Sequence, residues 1–324
     1  MVYHDSQIAL GTNCTISIYT DSQKKSVEKL FQILWLKIFE FEKSFSRFIP
    51  GSELTIFNSK AGTEQKISKT FKDILLQSLS YYRATNGMFN PFILPALEKA
   101  GYDHSLLQGF ENDLYVKHEN AEIVDFEQLK IFEDSAYIPK NSAIDLGGIG
   151  KGYLLDLLAG FLVDYKDEFR GFWISLGGDV VTYGYQSTKS PIKTFIEKDS
   201  DSVQENIGFV LSSRNEKKAV ATSGVNYRKG LKDNKAWHHI IDPVSGQPAK
   251  TDITMATVFG DSAAYCDVMA SCLIIAGKNR FLDTCQEFRL EDALIQGYIG
   301  MRNSDDYYIE SVGQNIKIKR ERNG

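Results

Sequence analysis

The sequence predicts an α+β fold made of two closely packed subdomains. Segments typical of strands and of helices are interleaved along the chain, but they do not form a regular βαβ array. With 324 residues, of which 43% are hydrophobic and 24% charged, the chain can bury a sizeable core. We therefore expect one large unit, or two in close contact, rather than a doubly wound sheet.

The N-terminal third contains one predicted strand and two predicted helices. Residues 8–19 end in alternating β-forming side chains, which indicates a strand. Between residues 23 and 45, apolar side chains recur at helical spacing, so this segment is predicted to be a helix with one core-facing stripe. A further helix is predicted at residues 70–85, because Asn86 and Gly87 are typical of a helix end.

In the rest of the chain, glycine-rich turns are predicted to connect strands and helices. A short buried strand is predicted at residues 142–146, followed by a turn with Gly147, Gly148 and Gly150 and a helix at 153–163. Residues 172–176 are predicted to form a strand that ends at Gly177 and Gly178. A last strand at 252–260 leads into a helix at 263–276, whereas the polar segments 108–135 and 188–206 are predicted to be surface excursions.

Composition argues against several classes of function. The formal charge of −5 is spread along the chain and the 37 basic residues form no dense stripe, so we expect no nucleic-acid partner. Residues 1–9 are polar and lack the features of a secretory signal, and no window resembles a membrane span. The four cysteines show no metal-ligand spacing, which favours free thiols and a cytoplasmic location.

The glycine cluster at residues 145–153 (DLGGIGKGY) is the first candidate ligand site. It matches neither the P-loop nor the dinucleotide-binding pattern. Glycines nevertheless let a backbone approach a ligand, and N–H groups at a helix start favour an anion such as a diphosphate. A purely structural turn explains the same residues. The small polar segments 176–179 and 221–224 are likewise either nucleotide-site turns or ordinary loops.

Two adjacent histidines in residues 236–248 (AWHHIIDPVSGQP) form the second candidate. His238 and His239 lie on a β-like run, so they point to opposite faces and only one is expected to enter a site. Histidine is the natural general base for a hydroxyl near neutral pH. A structural or exposed pair is the alternative. The Asp-Pro-x-x-Gly sequence that follows predicts a turn.

Asp267 and Ser271 form the third candidate. They are four residues apart on an apolar predicted helix, so a carboxylate and a hydroxyl lie on one face. Oxygen ligands suit a hard cation such as magnesium. A carboxylate that caps or pairs with another segment is the alternative.

Taken together and in this order, these segments resemble the ApbE family of FAD:protein FMN transferases. No single motif is specific, but eight in order across nearly the whole chain are. The matching segments are residues 10–12 (LGT), 46–54 (SRFIPGSEL), 85–91 (TNGMFNP), 145–153 (DLGGIGKGY), 177–179 (GGD), 222–224 (TSG), 238–248 (HHIIDPVSGQP) and 266–271 (CDVMAS).

The resemblance implies a role for particular residues of this sequence. His239 would be the catalytic base. Magnesium would be bound by side-chain oxygens of two residues and backbone carbonyls of two others: Asp267, Ser271, Gly148 and Ala270. The residues that would contact or border FAD are Leu10, Phe48, Met88, Phe89, Asn90, Asp145, Lys151, Ser223 and Ile241.

Three positions depart from the family pattern. Leu10 replaces a methionine and changes only an apolar wall. Asn90 replaces an aspartate and removes a charge from the nucleotide side. Ser271 replaces a threonine but keeps the hydroxyl that a metal would need.

By this resemblance, residues 1–324 form one domain that transfers FMN from FAD to a threonine or serine of an acceptor flavoprotein and releases AMP. Two alternatives remain open. A metal-dependent FAD pyrophosphatase would use water in place of the acceptor hydroxyl, and a non-catalytic flavin-binding protein would keep only the pocket.

Overall fold

A computed structural model describes residues 1–21, 24–102, 117–118, 120–187, 190–197, 206–226, 228–232, 234–251, 253–287, 296–303 and 306–312. Within these ranges a large antiparallel sheet is combined with helices and four small sheets, so the predicted α+β class is confirmed. The helices are α1 (Lys24–Phe45), α2 (Glu53–Ser59), α3 (Lys69–Ala84), α4 (Leu94–Ala100), α5 (Gly150–Val163) and α6 (Ala263–Glu287), with 3-10 turns at Pro91–Ile93, Phe126–Gln128 and Lys166–Glu168.

The large sheet has antiparallel neighbours throughout. Its strand order is β1-β2-β6-β7-β11-β16-β17-β18, with β8 paired to β7, and the small sheets are β3-β5-β4, β9-β10, β12-β13 and β14-β15. The strands are β1 (Val2–Ala9), β2 (Thr12–Tyr19), β3 (Glu64–Lys66), β4 (Lys130–Ile131), β5 (Ser135–Tyr137), β6 (Gly171–Leu176), β7 (Asp179–Ser187), β8 (Ser190–Pro191), β9 (Lys193–Glu197), β10 (Asn206–Leu211), β11 (Lys218–Gly224), β12 (Lys229–Lys232), β13 (Lys235–His238), β14 (Ile241–Asp242), β15 (Gln247–Pro248), β16 (Ile253–Gly260), β17 (Gln296–Asn303) and β18 (Asp306–Val312).

Most of the helices lie where the sequence predicts them. The apolar stripe of α1 is buried, as expected, and its members are Val27, Leu30, Leu34, Ile38, Phe41 and Phe45. Helix α3 begins after Ser68, which accepts a hydrogen bond from the Phe71 N–H, and ends before Asn86 and Gly87, both of which have positive φ. The regular part of α6 ends at Gly277 (φ 69°), next to the predicted end. Gln23 and Asp252, which begin two predicted elements, lie outside the described residues.

Helices α5 and α6 are in close contact, and this contact positions the candidate site. Gly152 faces the start of α6 so closely that a Cβ there would lie 2.4 Å from the Ala263 carbonyl oxygen. Asp156 of α5 accepts hydrogen bonds from the N–H groups of Ala263 (2.9 Å) and Ala264 (3.0 Å) and from the Ser262 hydroxyl (2.8 Å). Its carboxylate therefore caps α6 and fixes the two helices to each other.

Three strand or turn predictions are wrong in part. The strand predicted at residues 8–19 is a hairpin whose two-residue turn is Leu10 and Gly11, both with positive φ. Residues 142–146 pair with no strand among the described residues, because Ile144 makes its backbone hydrogen bonds to the Asn58 side chain. The segment at 222–224 is the end of β11 rather than a turn.

The two predicted surface excursions also carry buried residues. Phe126 and Leu129 are buried in the core, and Ile192 and Ile196 are buried in the second excursion. Residues 108–116, 119, 188–189 and 198–205 of these segments lie outside the described residues.

Cys14, Cys266 and Cys272 are buried and form no disulfide, as predicted, while the side chain of Cys285 is outside the described part of the structure. In the parts of the chain that the structure describes, no helix is both long and apolar enough to cross a bilayer.

Candidate functional site

A buried cluster of two carboxylates and a lysine lies between α5, α6 and the large sheet. Lys151, in the first turn of α5, forms an ion pair with Asp179 at the start of β7, and its Nζ lies 3.4 Å from Asp267 Oδ2 on α6. The side chains of Asp179 and Asp267 are only 2% and 6% exposed. Because two carboxylates face one ammonium group, the cluster carries one excess negative charge when all three groups are ionised.

The electrostatics of this cluster follow from burial. Burial raises the pKa of Asp179 to about 6, and the neighbouring Asp267 adds to the rise, while Lys151 opposes it. Burial disfavours the charged form of Lys151, but the two carboxylates outweigh it and raise the pKa of the lysine. Asp179 is also held by the Thr222 N–H at 3.0 Å, which ties the cluster to β11.

Of the two side chains predicted to bind a metal, Asp267 belongs to this cluster and Ser271 lies one helical turn further along α6. Ser271 Oγ is 2.9 Å from Ser223 Oγ of β11, and Asp267 Oδ2 is 3.3 Å from the Gly152 N–H. The described residues contain no group of three or more His, Cys, Asp or Glu that could hold a metal ion. A carboxylate, a hydroxyl and carbonyl oxygens are hard donors, so the residues fit magnesium rather than zinc. The excess negative charge of the acid–lysine cluster favours the binding of a cation beside it.

The glycine turn before α5 is organised by Asp145. Its Oδ1 accepts the Gly147 N–H at 2.8 Å, and its Oδ2 lies 3.0 Å from Arg47 Nε. Two N–H groups that the sequence predicted for a bound anion, those of Gly147 and Gly152, instead donate to carboxylates of the protein itself. Gly148 borders the Phe89 ring, which would lie 3.5 Å from a Cβ at that position.

Arg47 connects Asp145 to the rings of Phe48 and Tyr102, which we call the aromatic wall. Its guanidinium lies over the rings of Phe48 (4.2 Å) and Tyr102 (4.6 Å), and its Nη2 donates to the Tyr102 carbonyl oxygen at 2.8 Å. Phe48, predicted to border FAD, is thereby brought close to Asp145. Sequence reasoning missed Arg47 and Tyr102, although Arg47 directly precedes Phe48 in the S-R-F match.

The other residues predicted to border the flavin lie on separate elements. Met88 and Phe89 are buried, and Asn90 uses its side chain within the protein, accepting the Phe92 N–H (2.9 Å) and donating to the Val124 carbonyl oxygen (3.0 Å). Ile241 is buried in a small apolar cluster with residues of α4, the helix that follows residues 88–90 in the chain.

Leu10 lies at the tip of the β1–β2 hairpin, whose N–H groups at Leu10 and Gly11 donate to the Glu42 carboxylate. The structure does not record a contact between Leu10 and Phe48.

The two adjacent histidines face opposite sides of the β12–β13 hairpin, as predicted. His239 donates its backbone N–H to the Arg228 carbonyl oxygen at 3.0 Å, and its Nδ1 is 3.3 Å from the same oxygen. Its ring also meets Tyr102 edge-on, with centroids 6.3 Å apart. His238 instead places Nε2 3.1 Å from the Ala249 carbonyl oxygen.

His239 has the properties of a general base. Burial, followed by the positive charge of Arg228, lowers the pKa of His239 to about 3, so the imidazole is neutral near pH 7. With its Nδ1–H directed at the Arg228 carbonyl oxygen, the lone pair is on Nε2. The positive charge of Lys151 also disfavours protonation of His239.

Comparisons with known proteins identify the family of the chain. The model of the ApbE family matches residues 10–295. A Treponema pallidum protein named FAD:protein FMN transferase is 24% identical over 310 residues, which cover 90% of this chain and 83% of that protein. A Vibrio cholerae protein of the same name is 26% identical over 248 residues, covering 74% and 71%.

A solved structure shares the fold. The apo form of the flavinyl transferase ApbE of Pseudomonas stutzeri matches with a TM-score of 0.77 and 19% identity, over 96% of this chain and 94% of that one. The fold that the sequence motifs imply is therefore confirmed.

Proposed function

The chain belongs to the ApbE family, and from this premise we propose that it is an FAD:protein FMN transferase. It takes FMN from FAD and joins it to a threonine or serine hydroxyl of an acceptor flavoprotein, so the reaction is a covalent flavinylation. The observation that carries the proposal is the neutral imidazole of His239, whose Nδ1 is 3.3 Å from the Arg228 carbonyl oxygen and whose lone pair is therefore on Nε2.

The proposed reaction needs one general base, His239. His239 Nε2 takes the proton of the acceptor hydroxyl, and the oxygen attacks the phosphorus of the FMN half of FAD. A new P–O bond forms to the acceptor, the P–O bond to AMP breaks, and AMP leaves with the bonding electrons. Positioning and charge neutralisation supply most of the rate, because phosphoryl-type transfer needs little covalent help from the protein.

The aromatic wall and the glycine turn are proposed to hold FAD. Phe48, backed by the Arg47 guanidinium, provides a flat surface for a ring. Asp145 and Lys151 keep the loop and the first turn of α5 in place from either side. The remaining proposed FAD residues are Leu10, Met88, Phe89, Asn90, Ser223 and Ile241.

Magnesium is the proposed metal. Asp267 and Ser271 would supply side-chain oxygens, and Gly148 and Ala270 backbone carbonyls, which fits the hard-donor preference of the ion. When bound, magnesium neutralises charge on phosphate oxygens. In the chain itself, Lys151 holds Asp267 and so keeps that carboxylate on the side facing α5.

Mass spectrometry of co-expressed acceptor candidates tests the proposed function. We expect a covalent FMN adduct on a threonine or serine, and its loss in a His239→Gly variant. Rapid release of FMN and AMP from FAD without an acceptor would instead identify a pyrophosphatase. FAD binding without turnover under either condition would identify a non-catalytic flavin-binding protein.

We further propose that residues 1–324 form one transferase domain and that the protein acts in the cytoplasm. The location is supported by the buried thiols of Cys14 and Cys266, since reduced cysteines are typical of that compartment. Cell fractionation with an antibody against the protein tests it, and recovery with the membrane or the periplasm would contradict it.

A further inference from the structure

Arg228 lies directly opposite His239 on the hairpin that carries the base. Strands β12 and β13 pair Lys229 with His238, and the bond from the His239 N–H to the Arg228 carbonyl oxygen extends this register by one residue. Directly opposed residues of an antiparallel pair project to the same face, with Cβ atoms about 5 Å apart. The side chains of Arg228 and His239 therefore share one face.

This face is the one directed at the site. Trp237, two residues before His239, lies on the same side, where its indole covers Gly230 and stacks on Tyr102 with centroids 5.9 Å apart. Tyr102 also meets His239 and covers Arg47. Arg228 thus starts from the same surface as the base and the aromatic wall.

Arg228 differs from Arg47 and Lys151 in that no carboxylate among the described residues neutralises its charge. Arg47 is paired with Asp145, and Lys151 with Asp179 and Asp267. In the described parts of the chain, no carboxylate makes an ion pair with Arg228, so its guanidinium lacks the anionic partner that Arg47 and Lys151 each have. A guanidinium without a carboxylate partner, on the face that carries the base, is suited to bind an anionic ligand.

The proposed reaction identifies that anion. For His239 to take the proton of the attacking hydroxyl, the reacting phosphorus must lie within about 6 Å of its Nε2, given hydrogen-bond and near-attack distances. An arginine opposite the histidine can reach the oxygens of that phosphorus, and its planar fork suits phosphate.

We propose that Arg228 binds the diphosphate of FAD and stabilises the negative charge that develops as AMP leaves. This inference rests on the proposed function, and it adds a substrate-contacting residue to it. The backbone carbonyl of Arg228 orients the base while its side chain holds the group that the base acts upon, so one residue sets both halves of the geometry.

Binding of FAD and of riboflavin to wild type, Arg228→Gln, Arg228→Lys and Lys229→Gln tests this, by flavin fluorescence in the presence of a chelator. Riboflavin lacks the diphosphate, and Lys229 carries the same charge one residue away but faces the other side of the hairpin. We expect Arg228→Gln to weaken FAD binding by about tenfold or more, the loss of a charge-assisted hydrogen bond, and to leave riboflavin binding unchanged. Arg228→Lys should lose less, and Lys229→Gln should match wild type.

The possible results separate the two proposals. Failure of the wild type to bind FAD, both in chelator and with magnesium added, would refute the proposed function and this inference with it. Wild-type binding of FAD that is unchanged in Arg228→Gln would refute only the role of Arg228. An equal loss in Lys229→Gln, or an equal loss of riboflavin binding in Arg228→Gln, would also overturn it, because the effect would then be general charge or misfolding.

Discussion

Replacing Gly152 by alanine tests whether the close contact of α5 and α6 builds the site. The new Cβ would lie 2.4 Å from the Ala263 carbonyl oxygen and 2.6 Å from the Ala264 Cα. Ordinary C···O contacts are about 3.3 Å or longer, so the helices must separate by about 1 Å. Such overpacking costs about 1–3 kcal/mol of the free energy of unfolding.

The same shift moves catalytic groups. Asp267 is carried by α6 and Lys151 by α5, and their contact at 3.4 Å spans the gap that would open. A misplacement of about 1 Å can lower a rate by about a hundredfold. We therefore expect Gly152→Ala to lower the unfolding midpoint by several degrees and FMN transfer by about two orders of magnitude.

Gly160→Ala is the matched control. Gly160 lies on the same helix, but a Cβ there would meet nothing within 4 Å, so alanine should be neutral or stabilise the helix by up to about 1 kcal/mol. Thermal unfolding by circular dichroism and an assay of AMP release with acceptor measure both effects. Wild-type stability and activity in Gly152→Ala, or equal damage in Gly160→Ala, would refute the reasoning.

Three other predictions concern the base and the metal. His239→Gly should abolish transfer while FAD still binds, and His238→Gly should reduce turnover much less; equal losses, or lost FAD binding in the His239 variant, would contradict the assignment of the base. Because burial lowers the pKa of His239 to about 3, its neutral form persists as the pH falls, and we expect no loss of kcat/KM from this group between about pH 8 and 5. The free energy of unfolding, in contrast, should fall as the pH falls. Below the ordinary pKa of 6.5 the unfolded chain binds a proton at this histidine, whereas the folded chain does not. Urea unfolding should therefore show a loss of stability from pH 6.5 downward, and His239→Asn should reduce that loss. A chelator should stop turnover and magnesium should restore it, with Asp267→Ala inactive, Ser271→Ala partly active and Ser271→Thr unchanged; full activity in chelator, or an active Asp267→Ala protein, would refute the metal site.

The elements that sequence patterns predicted well are those with local causes. Helix α1 follows from its apolar spacing, and the end of α3 follows from Asn86 and Gly87, which accept positive φ at low cost. The opposite directions of His238 and His239 follow from the alternation of a strand.

The errors come from contacts that are distant in sequence or from unusual turn residues. Leu10 has a φ of 54° at a hairpin turn, and leucine gives no turn signal, so the hairpin was hidden inside one apparent strand. The backbone of Ile144 is satisfied by Asn58, 86 residues away, which removes the need for a neighbouring strand. No local pattern contains that information.

The candidate site shows the same division. Motif order pointed to Asp145, Lys151, His239 and Asp267, whereas the partners that complete them were missed. Arg47 lies inside the match at residues 46–54, but the match implied a role only for its neighbour Phe48. Tyr102 lies in no matching segment, and Arg228 lies four residues beyond the T-S-G match. Their roles depend on pairings across the fold, such as the register of β12 with β13, which a sequence pattern does not display.

The cap that Asp156 places on α6 has a consequence for how a phosphate can be bound. The N-terminal end of a helix carries about half a positive charge, the sum of its aligned peptide dipoles, and often binds phosphate for this reason. Here Asp156 already occupies that end of α6, and Asp145 and Asp267 accept N–H groups around the start of α5. The N-terminal ends of these helices therefore hold the protein's own carboxylates. Under the proposed function, we expect the diphosphate to be bound by side-chain cations such as Arg228 and by the proposed metal ion, rather than by helix dipoles.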